Sequence, residues 1–418
     1  MNKEFSLKRY FPISVWAPNY TNSKFFDDTI AALIVAMMLI PQALAYALLA
    51  GLPAETGLYA SMVGLTVYAL FGTSNTLSVA PVAVISLMTA TALAKLSLAT
   101  PEETLAAALV LTFLSGLFLL LLGLLRLGFM ANFLSHPVIS AFVTASALII
   151  GLSQMQHVFG VSAVGQNFLG LLGSLLGQLG SINFITFSIG AGSIGFIIFS
   201  KSVIKNLFLK IGVDAHIATT LSRSGPLLVA LITGVLAYIF RLDQQGVQLL
   251  GEVPRGLPNF GLPGFSIDLL NSLIGSALLI SIIGFVESIS VAQTLAARRR
   301  ERVDLNQELV GLGASNLATS FGGGFPVSGG FSRSVVNFEA GAATPAAGLF
   351  TAILIAVVAL FFTPALFWLP RVSLAAIIIV AVYGLIDFSV LRKAWVYSKA
   401  DFTAVFITLL LTLLIGVE

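Results

Sequence analysis

The chain has 418 residues, of which 57% are hydrophobic and only 9% charged, with a mean hydropathy of +1.00 and a net charge of +3. Ordinary soluble domains carry about 25% charged residues, so this composition excludes a soluble globular fold and fits a polytopic helical membrane protein. The absence of cysteine excludes disulfides and thiolate chemistry, and His136, His157 and His216 are scattered without ligand spacing, so no metal or cofactor is expected.

Residues 1–27 are polar and basic, lack a signal-peptide pattern, and read as a cytoplasmic N-terminal segment. Asp27 and Asp28 precede the first span, about 29–50, where acids favour the positive end of a helix. That span carries Pro41, which would kink it, and Gln42 and Tyr46, which share one helical face. An amide and a phenol there can donate to an oxyanion; the alternative is a packed tyrosine beside a satisfied glutamine.

The second span covers about 55–71. Residues 73–93 begin polar and strand-like, place Pro81 in the first turn, and continue as a short helix. Spans follow at about 104–125, 137–157, 183–200 and 224–240, with a Gly/Leu-rich amphipathic connection over 158–182. The eighth span, about 268–296, contains Glu287 and leads into Arg298, Arg299, Arg300 and Arg302. A ninth, about 306–320, opens on Asn306, Gln307 and Glu308, which are expected to cap it.

Residues 318–341, ATSFGGGFPVSGGFSRSVVNFEAG, interrupt the apolar pattern with glycines, Pro326 and a polar helix start. Irregular backbone at membrane depth is tolerated only where it is buried in protein or lines a polar cavity. Spans at about 344–362, 372–386 and 401–416 complete a count of thirteen. With the N-terminus inside, the basic residues concentrate in the inner loops; the outer ones carry only Lys95, Arg241, Arg255 and Arg371. Arg333 is the one basic residue assigned to no loop. The third and tenth spans share one layout, strand-like lead, proline or glycine break, short helix; seven spans separate them, so the second copy is inverted. Interrupted spans at matching positions of two halves mark a transporter's site.

Two half-helices aimed at one point would present unpaired N–H donors and positive dipole ends to an anion. The candidates are Val79, Ala80, Pro81, Val82 and Ala83 on one side, and Phe331, Ser332, Arg333 and Ser334 on the other. Ser332 is expected to cap its half-helix and Arg333 to attract the anion, the alternative being an arginine that snorkels to the surface. An intramembrane carboxylate such as Glu287 is functional by default. It would take up a proton during transport or form a permanent pair with Arg333. The Arg298–Arg302 cluster adjoins a span without interleaved aromatics and reads as an anchor near anionic lipid, not a nucleic-acid surface. An enzyme is not expected: there is no nucleophile–base pair, no metal cluster, and GGGFPVSGG lacks the Lys-Ser/Thr of a phosphate-binding loop.

PQALAYALLAGLP (41–53), GLYAS (57–61), SVAPVAVISLM (78–88), VDLNQELVGLGASNL (303–317) and GGFPVSGGFSRSVVN (323–337) resemble the SulP sulfate permease family, from about residue 27 onward. The resemblance implies an all-α polytopic fold with a seven-plus-seven inverted repeat, shared with uracil transporters. It implies a core (about 28–125 and 268–362) that slides, elevator-like, against a gate (about 137–241 and 372–418). It places an inorganic anion between the half-helices, with Gln42, Tyr46 and Arg333 in the pocket. Family members have fourteen spans, a C-terminal STAS domain and a homodimeric form; this chain lacks the last span and the STAS domain and is expected to be a truncated form. The expected function is proton-coupled sulfate uptake in a bacterial inner membrane. Bicarbonate–sodium symport, chloride or dicarboxylate exchange, an anion channel and a membrane motor are the alternatives.

Overall fold

A computed structural model describes residues 11–416 apart from 97, 133–135, 164, 166, 201–209 and 212–223. Of the basic residues used for topology, Lys3, Lys8, Arg9, Lys201, Lys205 and Arg223 lie outside the described residues, as does His216.

Apolar sequence at this density drives helix formation, because every backbone polar group in a bilayer must be satisfied within the protein. The main helices are α1 (Asn22–Leu49), α2 (Glu55–Phe71), α3 (Ala83–Ala94), α4 (Pro101–Leu124), α5 (His136–Phe159), α6 (Phe168–Gly177), α7 (Phe184–Phe199) and α8 (Gly225–Phe240). They continue as α9 (Ile267–Arg299), α10 (Leu305–Phe321), α11 (Phe331–Glu339), α12 (Ala346–Val357), α13 (Arg371–Tyr383), α14 (Ser389–Tyr397) and α15 (Lys399–Ile415). Two strands, β1 (Val79–Ala80) and β2 (Ser328–Gly329), precede α3 and α11. Among the described residues, five helices are long and apolar enough to cross a membrane. By contrast α3, with 12 residues, and α11, with 9, reach roughly 18 and 14 Å at 1.5 Å per residue, about half a hydrocarbon core.

The chain forms two compact units. The first comprises Met1–Leu39, Ala50–Phe133 and Gly256–Leu360; the second comprises Ile40–Leu49, Leu134–Arg255 and Phe361–Glu418. In the first, α10 packs along α4 and α2, α12 packs on α2, and α9 packs on α4, α3, β2 and α11. The α10–α4 contact is a glycine seam. A Cβ on Gly313 would lie 2.5 Å from the Leu120 nitrogen, and one on Gly116 would lie 2.5 Å from the Leu317 nitrogen. Small residues that let backbones approach are the usual basis of helix association in lipid. Ala31, Ile34, Val35 and Met38 of α1 pack with Val336, Ala340, Ala342 and Ala347 around α11 and α12. In the second unit α5 packs against α13, α15 and α7, with Val158, Ala237, Leu242, Val247, Val372 and Ala375 forming one core cluster.

Several local expectations change. α1 starts at Asn22, so Asp27 and Asp28 are not in its first turn. Buried Asp28 instead accepts from the Ala343 (2.7 Å) and Thr344 (3.0 Å) N–H groups, the Thr344 hydroxyl (2.6 Å) and the Tyr20 hydroxyl (3.0 Å). Burial first, and the Asp28 carboxylate second, hold the Tyr20 phenol above its ordinary range. The connection over 158–182 contains a regular helix, α6, capped by the Asn167 side chain. The span predicted over 344–362 passes from α12 into a π-helical turn, Val358–Phe362, before a last short helix, Thr363–Leu366. Arg299 is more than a lipid anchor: it donates to the Ala342 (2.5 Å) and Phe338 (3.2 Å) carbonyls and stacks over the Phe338 ring.

Replacing Gly313 with Ala is expected to destabilise the protein by about 1–3 kcal/mol, because the added methyl meets backbone that cannot give way. Gly173→Ala, at a helix position facing open space, should leave the thermal unfolding midpoint of the detergent-solubilised protein unchanged.

Candidate anion site

The site grows from the strand pair. β1 and β2 run antiparallel, Val79 opposite Gly329 and Ala80 opposite Ser328, with the Gly330 N–H donating to the Ser78 carbonyl at 3.2 Å. Each strand feeds a half-helix in the opposite sense, so both helix N-termini start at the pair. α3 has Val82 as its N-cap and α11 has Gly330, and neither N-cap supplies a side-chain bond. A Cβ on Gly330 would stand 3.2 Å from Val82 Cγ1 and 2.9 Å from Arg333 Nη2, so the two helix starts are adjacent and a side chain at this N-cap would have to displace the Arg333 guanidinium. The first-turn N–H groups of both half-helices have no partner within their helices.

Arg333 is 3% exposed. Its Nη1 donates to the Pro81 carbonyl at 2.8 Å and its Nη2 to the Ala80 carbonyl at 3.2 Å, so the guanidinium of one half-helix bridges to the strand end of the other. It does not snorkel. Ser334 makes a second bridge: its hydroxyl donates to the Gly330 carbonyl at 2.8 Å and accepts the Ser78 N–H at 3.0 Å. Asn337 adds a third, donating to the Thr76 carbonyl at 3.1 Å.

Among the predicted site residues, Val79 and Ala80 are buried strand residues, Pro81 precedes the N-cap rather than lying in the first turn, and Val82 and Ala83 sit at the start of α3. Phe331 and Ser332 are exposed at the start of α11. Ser332 does not cap its helix, because Gly330 occupies the N-cap two residues earlier. Gln42 and Tyr46 are buried in α1 and fall in its 40–49 segment, which belongs to the second unit; Gln42 Oε1 has no hydrogen-bond partner.

Glu287 lies on α9. Its Oε2 is buried without a hydrogen-bond partner, while the Arg333 charge acts on the carboxyl. The neighbouring Ser288 accepts the Gly329 N–H at 2.8 Å and lies 2.9 Å from the Ser328 hydroxyl, which pins α9 to β2. The strand leads are braced from α10. Asn316 accepts the Val327 N–H at 2.9 Å and donates to the Val327 carbonyl at 3.0 Å. Fully buried Glu308 accepts from the Tyr68 hydroxyl (2.6 Å), the Thr73 hydroxyl (2.6 Å), the Thr73 N–H (2.7 Å) and the Ser74 N–H (3.2 Å).

The expected capping of α10 by residues 306–308 is therefore corrected. Asp304 is the N-cap; Asn306 accepts the Gly128 N–H and Gln307 donates to the Phe71 carbonyl, each reaching another segment. Sequence reasoning missed the bracing roles of Ser288, Asn316 and Ser334. Their one signal was a polar side chain inside an apolar span, without its partner.

This arrangement concentrates positive potential at one point: two helix N-termini and a buried guanidinium, with no carboxylate in the first turn of either half-helix. It can hold an anion through backbone donors; it offers no nucleophile–base pair, and among the described residues no cluster could hold a metal.

Two inverted half-helices meeting at a strand pair, within a chain of bilayer-length apolar helices, define a polytopic membrane protein of the seven-plus-seven inverted-repeat class. The sulfate permease family profile matches residues 25–408, and the chain belongs to that family, which is one of transporters and not of enzymes. It is 37% identical to the chloroplastic sulfate transporter 4.1 of Arabidopsis thaliana over 98% of this chain and 58% of the relative. It is 32% identical to a sodium-independent sulfate anion transporter of Bos taurus over 97% of this chain and 69% of that one. The chain thus spans about three fifths of the plant relative's length. The fold is shared with SLC26A9 (TM-score 0.89, 24% identity, 97% of this chain and 65% of that one). It is shared also with the transmembrane domain of the cyanobacterial bicarbonate transporter BicA (TM-score 0.82, 23% identity, 95% and 97%).

Replacing Arg333 with Gln removes two charge-assisted bonds between the half-helices and is expected to destabilise the protein by about 3 kcal/mol. Ser332→Ala, at an exposed residue that makes no cap, should leave the thermal unfolding midpoint within a degree or so of the parent, a shift of under about 0.5 kcal/mol.

Proposed function

We propose that this chain is the membrane part of a secondary active inorganic-anion transporter that takes up sulfate together with protons. The carrying observation is the convergence of two uncapped half-helix N-termini beside buried Arg333. Relatives at 37% and 32% identity are named as sulfate transporters, which supports sulfate as the anion. The anion would be bound by backbone N–H groups of residues 83–85 and 331–333, with the Ser332 hydroxyl and the Gln42 and Tyr46 side chains as the further donors that the family resemblance implies. Arg333 would attract it electrostatically while its terminal nitrogens hold the strand pair.

Proton coupling is assigned to Glu287. A carboxyl whose buried Oε2 has no hydrogen-bond partner gains most from carrying a proton, and a proton there would offset part of the charge of a divalent anion. The elevator motion is assigned to the first unit as core and the second as gate. Two chain crossings between these units fall at weak points of a helix. The 39/40 crossing adjoins Pro41, which leaves the Met37 carbonyl without its helical donor; the 360/361 crossing lies inside the π-helical turn Val358–Phe362. The full-length protein would act as a homodimer in a bacterial inner membrane with its N-terminus in the cytoplasm.

The test is uptake of labelled sulfate by proteoliposomes of the full-length protein, at inside-matched pH and with an inward proton gradient, with and without sodium. Gradient-stimulated sulfate uptake and counterflow are expected. Uptake of bicarbonate, chloride or dicarboxylates in place of sulfate would overturn the substrate, and flux without counterflow would mark a channel. Glu287→Gln should abolish the stimulation by the proton gradient while sparing sulfate counterflow; stimulation that persists unchanged would remove Glu287 from the coupling.

A further inference from the structure

The second unit contains a small polar cavity where α5 ends and where α7 and α13 begin. Its volume is about 10 Å³, and it is lined by His157 in the last turn of α5, Gly160 just after it, Thr186 in the first turn of α7, Gln248, and Arg371 and Val372 at the start of α13. That is enough to hold one small spherical particle.

Three features of the lining ask for negative charge. The Thr186 side chain is 3% exposed, and its hydroxyl has no hydrogen-bond partner. Arg371 donates through Nε to the Leu249 carbonyl at 3.2 Å, but no carboxylate lines the cavity, and among the described residues none pairs with this guanidinium. α13 begins here with Pro370 as N-cap and no side-chain cap; its Arg371 N–H donates to the Gln248 carbonyl at 2.9 Å, and the helix dipole adds positive potential at this end. His157 adds a ring nitrogen to the lining. A water would satisfy the threonine hydroxyl; a monatomic anion would do that and also pair with the half-buried guanidinium.

We propose that this cavity is a halide-sized anion site, separate from the half-helix site and holding α5, α7 and α13 together. Thr186 Oγ1 donates to the ion, the Nη groups of Arg371 supply charge, and Gly160, at φ +69°, keeps the chamber open. A Cβ there would lie 3.3 Å from Thr186 Oγ1 and 3.0 Å from Asn183 Cβ. The inference does not depend on sulfate being the transported anion.

Bromide is the probe. Crystals of the full chain grown in bromide should show an anomalous peak within hydrogen-bonding distance of Thr186 Oγ1 and Arg371. Titrated against gluconate at constant ionic strength, bromide should raise the thermal unfolding midpoint saturably. Thr186→Val, which preserves shape, should raise the half-saturating bromide concentration about tenfold. Arg371→Gln should abolish the peak, and if it fails to fold, Thr186→Val alone decides. A cavity that holds water in bromide, or a titration identical in the parent and Thr186→Val, overturns the proposal.

Discussion

The bridge from Arg333 to the carbonyls of Ala80 and Pro81 is the constraint on which the first unit depends. A sheet of two residues per strand has too few ladder bonds to persist alone, and at membrane depth no water takes over the backbone groups it leaves. A planar guanidinium with several donors is suited to this task, and a lysine ammonium would supply charge without the fork. The same side chain puts a full positive charge beside two helix N-termini. Fold and electrostatics at the site therefore have one cause.

Around that bridge the irregular segments are satisfied by side chains from regular ones. Glu308 takes two N–H groups and one hydroxyl of the α2–β1 connection and the Tyr68 hydroxyl of α2, Asn316 both backbone groups of Val327, Ser288 the Gly329 N–H, and Asp28 two N–H groups just before α12. These polar residues resemble binding groups when read in isolation, since buried acids and amides in spans are costly unless they have work to do. Their work here is to replace the ladder that a broken helix has lost. Glu287 differs from them in that its Oε2 has no such partner, so it does not brace the irregular backbone through that oxygen.

The glycine seam between α4 and α10 supplies the rigidity that the braces need. With Gly116 and Gly313 at backbone contact, α10 has a fixed position from which Glu308 and Asn316 can reach the strand leads. Regular helices in close contact hold the irregular backbone from which both half-helices start.

The sequence by itself determined the spans, the two interruptions, their inverted relation and the isolation of Arg333 and Glu287, because hydropathy, glycine and proline placement and loop charge are local properties. The antiparallel pairing of the two strands, Val79 opposite Gly329, was decided by the tertiary structure. What Arg333 donates to, where Asp28 and Glu308 direct their oxygens, and that Ser332 leaves the cap to Gly330 were decided only by the tertiary structure. Apart from Tyr20, eight positions from Asp28, those partners stand 234 to 316 positions away from Glu308, Arg333 and Asp28, and no periodicity within a span encodes which distant backbone group a buried side chain will meet.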